Sequence, residues 1–340
     1  MNKLLVLLII PVFSFSQKDT IPKYLDKDLH FTTIDKAVYF GVAIKQSNHW
    51  KLYALYPDTT PVITAVFKDR QMKIKDGEFI IYYPKYIKAQ ETFYKNNHIN
   101  GNWVSWYQNG TRMDSGAIIN DHMSGLWKSW FPNGQLKIIA VNKKEYSEED
   151  QALLELKHSV SNNHYGIKDG EFNSWYLNGN QESVGYFKND VMDGQWKWYF
   201  ENGKESTIEI YKDGKITSLK CFDSTGKDSA DFCSISKPAT LKAYGDYRQY
   251  IMENLIWPEQ ALKKKIEGVV HIHIEISKNG EIKTLKLESD KKILQDAVAG
   301  LFTKMGAWDP AVSHNRVIEW QDDFDIPFYI SNKDENNNDE

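Results

Sequence analysis

The sequence holds only two cysteines, Cys221 and Cys233, and only 10 prolines in 340 residues. So few cysteines exclude a disulfide-stapled miniature fold and the cysteine-rich metal modules. So few prolines exclude a long, stiff proline-rich spacer. Familiar catalytic signatures are missing too: there is no C-x-x-C, H-E-x-x-H, G-x-S-x-G or phosphate-binding loop. Charge of one sign is not in excess. The net charge of −4 gives nucleic acid or anionic lipid no bulk electrostatic attraction. No segment after the first 16 residues is apolar enough, for long enough, to span a bilayer.

What the chain does have is aromatic side chains: 11 Trp, 19 Tyr and 16 Phe, which favour β structure because rings pack well on a pleated surface. Residues 1–16 read as an export signal. Lys3 supplies a positive start, residues 4–13 an apolar run broken only by Pro11, and Ser14 and Ser16 the small residues before a cut at Gln17. The run is shorter than the ~20 apolar residues of a membrane span. In an exported protein a lone pair of cysteines suggests one disulfide, Cys221 to Cys233, with two separate buried thiols as the other reading.

A repeat dominates the middle of the chain. Gly101, Trp103, Trp106, Tyr107, Asn109 and Gly110 recur as Gly125, Trp127, Trp130, Phe131, Asn133 and Gly134. They recur again from Gly170 to Gly179 and from Gly194 to Gly203, and a degenerate copy begins at Gly77. The opening glycines at 77, 101, 125, 170 and 194 are 24, 24, 45 and 24 residues apart, so the long gap is one period plus 21 inserted residues. Two Gly-containing turns per period, one at each Asn-Gly and one at each opening Asp-Gly or Asn-Gly, imply two strands per repeat joined as a meander. Trp103 and Tyr107 share one strand face and Trp106 the other. Tyr94, Tyr186 and Tyr211, on intervening strands, can fill the space between equivalent rings. The rings hold a single-layer sheet together, or they line a groove for a sugar or an extended peptide. The copy at Gly77 has Lys85-Tyr86 where the others have Asn-Gly. The insertion, near 136–165, carries Ala152, Leu153, Leu156 and Val160 at helical spacing after the acidic start Glu148, Glu149 and Asp150, which suits a helix N-terminus.

The pattern G-x-[WF]-x-x-[WY]-[YF]-x-N-G resembles MORN-type repeats, in particular the variant of YwqK-like antitoxin proteins. The resemblance implies an elongated, twisted antiparallel sheet with a role in protein or lipid contact.

After Cys233 the pattern changes. Residues 244–264 read as helical with a break at Trp257-Pro258. Val270, Ile272, Ile274 and Ile276 alternate with His271, His273 and Glu275, as in a half-buried strand. Asn279-Gly280 turns that strand into a second one over 282–287. Residues 293–305 are helical, and 317–330 close as a strand. The order predicts a small α+β domain. Three ligands at His271, His273 and Glu275 could hold a metal, but the fourth ligand of a structural site is missing, and a solvated sheet face explains them. Hence no metal, cofactor or catalytic residue is expected, and the chain reads as a non-enzyme.

Tyr250-Ile251, Trp257-Pro258, Ala261, Gly268 to Val270, Ile276 to Gly280, Asp296-Ala297, Trp308 to Ala311 and Ile326 to Phe328 resemble landmarks of the TonB C-terminal domain. The resemblance implies an envelope domain that binds a short transporter segment by adding it as a strand to its sheet edge. On that reading the docking strand is 317–330, carrying Val317, Glu319, Gln321, Asp323 and Asp325. Asp322, Asp323 and Asp325 then serve as charges that protect an open edge.

The expected organisation is therefore an export signal at 1–16, an N-terminal cap at 17–69 and MORN-like β-hairpin repeats at 70–226. A linker at 227–243, a TonB C-terminal-like α+β domain at 244–330 and an acidic tail at 331–340 follow. The expected role is a periplasmic protein-binding adaptor whose partner is an outer-membrane transporter segment. Two other readings stand beside it: a membrane-anchored TonB-type energy transducer facing the periplasm, and a YwqK-like structural or neutralising repeat protein. Neither nucleic acid nor direct membrane contact is expected unless the signal is retained.

Overall fold

The computed structural model describes residues 19–160, 165–229 and 233–330. The expected export signal at 1–16 and the expected acidic tail at 331–340 lie outside these residues. The chain divides into two units: the chain up to Gly203 together with Glu209–Ser218, and Lys204–Ile208 together with the chain from Leu219 onward.

A single 16-stranded sheet carries the repeats. It opens with β1 (Thr20–Leu25), β2 (Tyr39–Gln46), β3 (His49–Leu55) and β4 (Pro61–Phe67). Next come β5 (Lys75–Tyr83), β6 (Ile87–Lys95), the two-residue β7 (His98–Ile99), β8 (Gly101–Trp106), β9 (Arg112–Ile119), β10 (His122–Trp130) and β11 (Leu136–Asn142). Helix α1 (Glu148–Val160) stands in the insertion, and β12 (Lys168–Trp175), β13 (Gln181–Lys188), β14 (Val191–Tyr199), β15 (Glu205–Lys212) and β16 (Lys215–Cys221) complete the sheet. Each strand pairs with the next in sequence, apart from β7, which pairs beside β6. The segment before Gly77 is thus a continuation of the same meander. It buries Leu25, Leu52, Val62, Ile63, Phe67 and Phe79 in one cluster.

The repeat motif is spent on two rows of turns. In the first row the N–H of Gly110, Gly134, Gly179 and Gly203 donates to the carbonyl three residues earlier, each at 2.9 Å, and the glycines have φ between 82° and 89°. That left-handed backbone is the reason for glycine. The preceding asparagine has a different task from the one its turn propensity suggests. Asn109 Oδ1 accepts the N–H of Thr111 at 3.0 Å, and its Nδ2 donates to the carbonyl of Pro132 in the next repeat at 2.8 Å. Asn178 bonds Asn180 N–H and the Glu201 carbonyl in the same way. The motif tyrosines bridge repeats as well: Tyr107 Oη donates to the Trp130 carbonyl at 2.8 Å and Tyr176 Oη to the Tyr199 carbonyl at 2.6 Å.

The second row differs from the sequence expectation. The turns fall at Asn96-Asn97, Asn120-Asp121, Asn189-Asp190 and Asp213-Gly214, where both residues have positive φ. They do not fall at the opening Asp-Gly and Asn-Gly pairs. Gly77, Gly125, Gly170 and Gly194 lie inside strands, beside register shifts of β-bulge type. Asn and Asp tolerate left-handed backbone because their short side chains bond locally, so they can take the turn and leave glycine for the bulge. At Gly170, with φ of 143°, a Cβ would sit 2.7 Å from Val141. Lys85 and Tyr86 both have φ of 65°, so the degenerate repeat keeps a left-handed hairpin turn without Asn-Gly.

Tryptophans on one strand lie over glycines on the next. Trp196 is fully buried against Phe172 and Phe187, stacks on Trp198, and covers Gly185, whose Cβ would fall 2.1 Å from the indole. Trp127 covers Gly116 in the same way.

The second unit holds β17 (Ser236–Lys237), β18 (Thr240–Leu241), α2 (Tyr247–Asn254), α3 (Glu259–Lys263), β19 (Gly268–Ile276), β20 (Ile282–Glu288) and α4 (Lys292–Phe302). It ends with β21 (Trp308–Asp309), β22 (Ala311–Ser313), β23 (Arg316–Ile318) and β24 (Trp320–Phe328). Its main sheet has the order β20-β19-β24, with β17-β22-β23 and β18-β21 as smaller sheets. Val270, Ile272, Ile274 and Ile276 face a core with Leu294, Val298, Trp308 and Phe328. Asp246 caps α2 by accepting the N–H of Arg248 at 2.9 Å. Two expectations change here. The stretch expected as a linker is built into the unit, because β17 and β18 pair with β22 and β21 and bury Ala239 and Leu241. The closing strand is two strands. His314 and Asn315, both with positive φ, fold β23 back onto β22, and only the part from Trp320 onward joins β19.

Candidate functional site

The open side of β24 is the site on which the residues converge. β24 pairs with β19 and, among the described residues, has no other neighbour in its sheet. The backbone shows which of its groups face outward. Val269, opposite Pro327, directs its carbonyl to Ser289 Oγ at 2.7 Å, on the β20 side of β19. Pro327 has no N–H to give. That pair is therefore one of the non-bonded pairs of the antiparallel ladder, and the alternation makes Gln321, Asp323 and Asp325 outward as well. Proline is confined to such positions on edge strands.

At the centre of this row Asp323 N–H donates to the side chain of Asp322 at 3.1 Å. Asp322 points to the helix-covered face, where its carboxylate accepts from the hydroxyl of Tyr247 and pairs with the guanidinium of Arg248. Burial, and then the neighbouring Asp322 carboxylate, raises the Tyr247 pKa well above its ordinary value. Arg248 also lies over the Tyr247 and Phe324 rings, at 5.6 and 5.7 Å. One turn along α2 from Arg248, on the same helix face, Met252 is 76% exposed, and Ile256 beyond it is 78% exposed. Neither Tyr247 nor Arg248 was singled out in the sequence. They stand more than 70 residues from Asp322, and no local pattern marks them.

The other sequence candidates are placed as follows. Gln321, Asp323 and Asp325 share the solvent face of β24. Val317 belongs to β23 and Glu319 to the break between strands, so neither is on the docking strand. The physical reason is the β22–β23 hairpin, which takes Val317 into register with Val312. Glu319 pairs with Lys283 at 2.8 Å. The aspartates are also more than edge charges: Asp325 meets His271 Nδ1 at 2.6 Å, and Asp323 meets His273 Nδ1 at 2.8 Å. Glu275 lies 3.3 Å from His273 Nε2. The Asp323 and Glu275 contacts hold the His273 pKa above its ordinary value. The face considered for metal is thus occupied by cross-strand ion pairs. Asp26, Asp28 and His30 do bring ligand atoms within 4.8 Å of one another. Asp26 there accepts the N–H groups of Asp28 and His30, which is an ordinary loop-closing arrangement. Cys221 and Cys233 lie together with Cα atoms 5.7 Å apart, within the reach of a disulfide.

Residues 253–329 match the family model of the Gram-negative bacterial TonB protein C-terminal. Residues 123–141 and 192–204 match the MORN repeat variant. A search of curated proteins finds no match to the chain. Both matched families are non-catalytic, and TonB C-terminal domains bind other proteins in the Gram-negative envelope. The chain therefore carries a TonB C-terminal domain behind an antiparallel array of MORN-variant repeats.

Proposed function

We propose that the chain is a non-enzymatic periplasmic adaptor that captures an extended segment of an envelope protein, such as an outer-membrane transporter, by strand addition along β24. The observation that carries this reading is the row of outward backbone groups at Gln321, Asp323, Asp325 and Pro327, flanked by Arg248 of α2, which pairs with Asp322. An added strand would bond to that row through its backbone, with little demand on side-chain identity. The matching family and the open edge both support it. The export signal at 1–16 supports the periplasmic location, and no helix among the described residues is long and apolar enough to cross a membrane.

Single prolines at Gln321, Asp323 and Asp325 test the proposal against synthetic N-terminal segments of outer-membrane transporters. Each removes an outward N–H without touching the β19 ladder, as Pro327 already does. Folded variants are expected to lose affinity by about tenfold or more. Unchanged affinity in every folded variant would place the docking surface elsewhere. Membrane fractionation with N-terminal sequencing separates this reading from an anchored transducer, which would retain Met1 and the membrane.

A further inference from the structure

One face of the repeat unit carries a half-open cavity of about 1020 Å³. Leu52, Ile63, Phe79, Trp103, Ile118 and Trp127 line it from β3, β4, β5, β8, β9 and β10. The apolar path therefore runs across the strands. Six inter-strand steps of ~4.8 Å make it roughly 29 Å long. The hollow is open to solvent, so a ligand can enter it. It matches the size of a small-molecule site.

One repeat position supplies the hollow with its two lysines, while Asp28, His30 and Asp114 line other parts of it. Residues 75, 99, 123 and 168 are equivalent in the period, and all four line the cavity as Lys75, Ile99, Met123 and Lys168. The two lysines differ in their counter-charges. Twenty-two residues after Lys168 stands Asp190, whose carboxylate accepts the Lys168 N–H at 2.7 Å and lies 3.9 Å from its ammonium. Twenty-two residues after Lys75 stands Asn97, whose Oδ1 accepts the Lys75 N–H at the same 2.7 Å but brings no charge. The Lys75 ammonium rests against the rings of Phe79 and Tyr94, at 4.8 and 4.7 Å. Among the described residues no carboxylate lies within ion-pair distance of it. Burial accordingly pulls its pKa down. A half-buried cation whose partners are rings and not a carboxylate is only partly compensated, and an incoming anion would complete the pairing.

We infer that this cavity binds a free, single-chain amphiphile with a carboxylate head, the head on Lys75 and the apolar body along the cross-strand path. The elongated apolar path calls for a chain, and the one lining lysine without a carboxylate partner calls for a negatively charged head.

The test is titration of the purified full-length exported chain, stripped of lipid, with hexadecanoate below its aggregation concentration, followed by calorimetry. Saturable one-to-one binding is expected. Asn97→Asp installs the counter-ion that the other repeat already has, so it should preserve the fold and weaken hexadecanoate by about tenfold or more. Lys75→Met should do the same. Hexadecanol, which lacks the charge, should bind more weakly than hexadecanoate to the unaltered protein and be insensitive to Asn97→Asp. Absence of saturable binding would overturn the inference, as would equal affinity for the alcohol or indifference to both substitutions. Binding only to phosphatidylglycerol vesicles, with none to the monomeric acid, would overturn it in favour of a membrane surface.

Discussion

The two units use their sequence signatures in opposite ways. In the repeats the recognisable residues are consumed by the architecture. The Asn and Tyr of each motif bond to the carbonyls of the next repeat, and the Trp residues roof over glycines. What is left for a ligand is where one repeat departs from another, as Asn97 departs from Asp190. In the C-terminal domain the signature residues build a core from elements far apart in sequence, β19 against β24 and α4, and leave the outer side of β24, like that of β20, without a strand partner among the described residues. On the two proposals above, the repeat unit binds through its exceptions and the α+β domain through what its topology leaves unpaired.

The largest effect expected from breaking this contrast is at Gly185. Valine there would drive a Cβ into the Trp196 indole, at a cost of ~3 kcal/mol or more. By comparison Gly300→Ala in α4 meets nothing within 4 Å and should stabilise by up to ~1 kcal/mol. Urea melts of both variants check the pair. A Gly185→Val protein as stable as its parent would remove the roofing argument.

Next in size is the cysteine pair. Oxidised after export, Cys221 and Cys233 should stabilise the second unit by ~2–3 kcal/mol through the loop they close, and leave the repeat unit's transition where it was. Thiol labelling of the denatured, non-reduced protein, with calorimetry before and after reduction, measures both points. Two labelled thiols would contradict the pairing.

A smaller cost, ~1 kcal/mol or more, is expected for Gly110→Val, since a β-branched residue resists the φ of 83° that closes the first-row turn. An unchanged melting temperature would show that the row tolerates other turns.

The smallest effect is on the solvent face of the C-terminal sheet. The His273 pKa is raised in the folded state, so its pairing with Asp323 and Glu275 contributes fully below the unfolded histidine value of ~6.5. That contribution is lost as pH rises through the higher folded value. Melting curves of the parent and of His273→Gln should therefore converge at alkaline pH and separate as the pH falls. Parallel curves across that range would show that the face is not coupled to stability.

Much of this molecule can be read locally. The period of 24, the hairpin meander, the helix within the insertion and the order of elements in the C-terminal domain all rest on residues close in sequence. Those patterns repeat or alternate with the geometry of the backbone itself. The second row of turns could not be read in that way. Asp-Gly and Asn-Gly suit a turn and a bulge equally, and only the pairing register shows that Asn96-Asn97 and its equivalents turn while the glycines bulge. The break between β23 and β24 was hidden for the same reason, since strand propensity continues through Glu319 and the partner strand changes.

The sequence by itself determined the repeat, its strand count and the kind of domain that follows, because short-range spacing and turn chemistry specify them. Only the folded chain shows which backbone groups of β24 lack a ladder partner, that Asp322 reaches Tyr247 and Arg248, and that Lys75 lines a hollow with no carboxylate among the described residues in ion-pair distance. These depend on ladder register and on contacts between distant segments, and neither leaves a trace in the spacing of neighbouring residues.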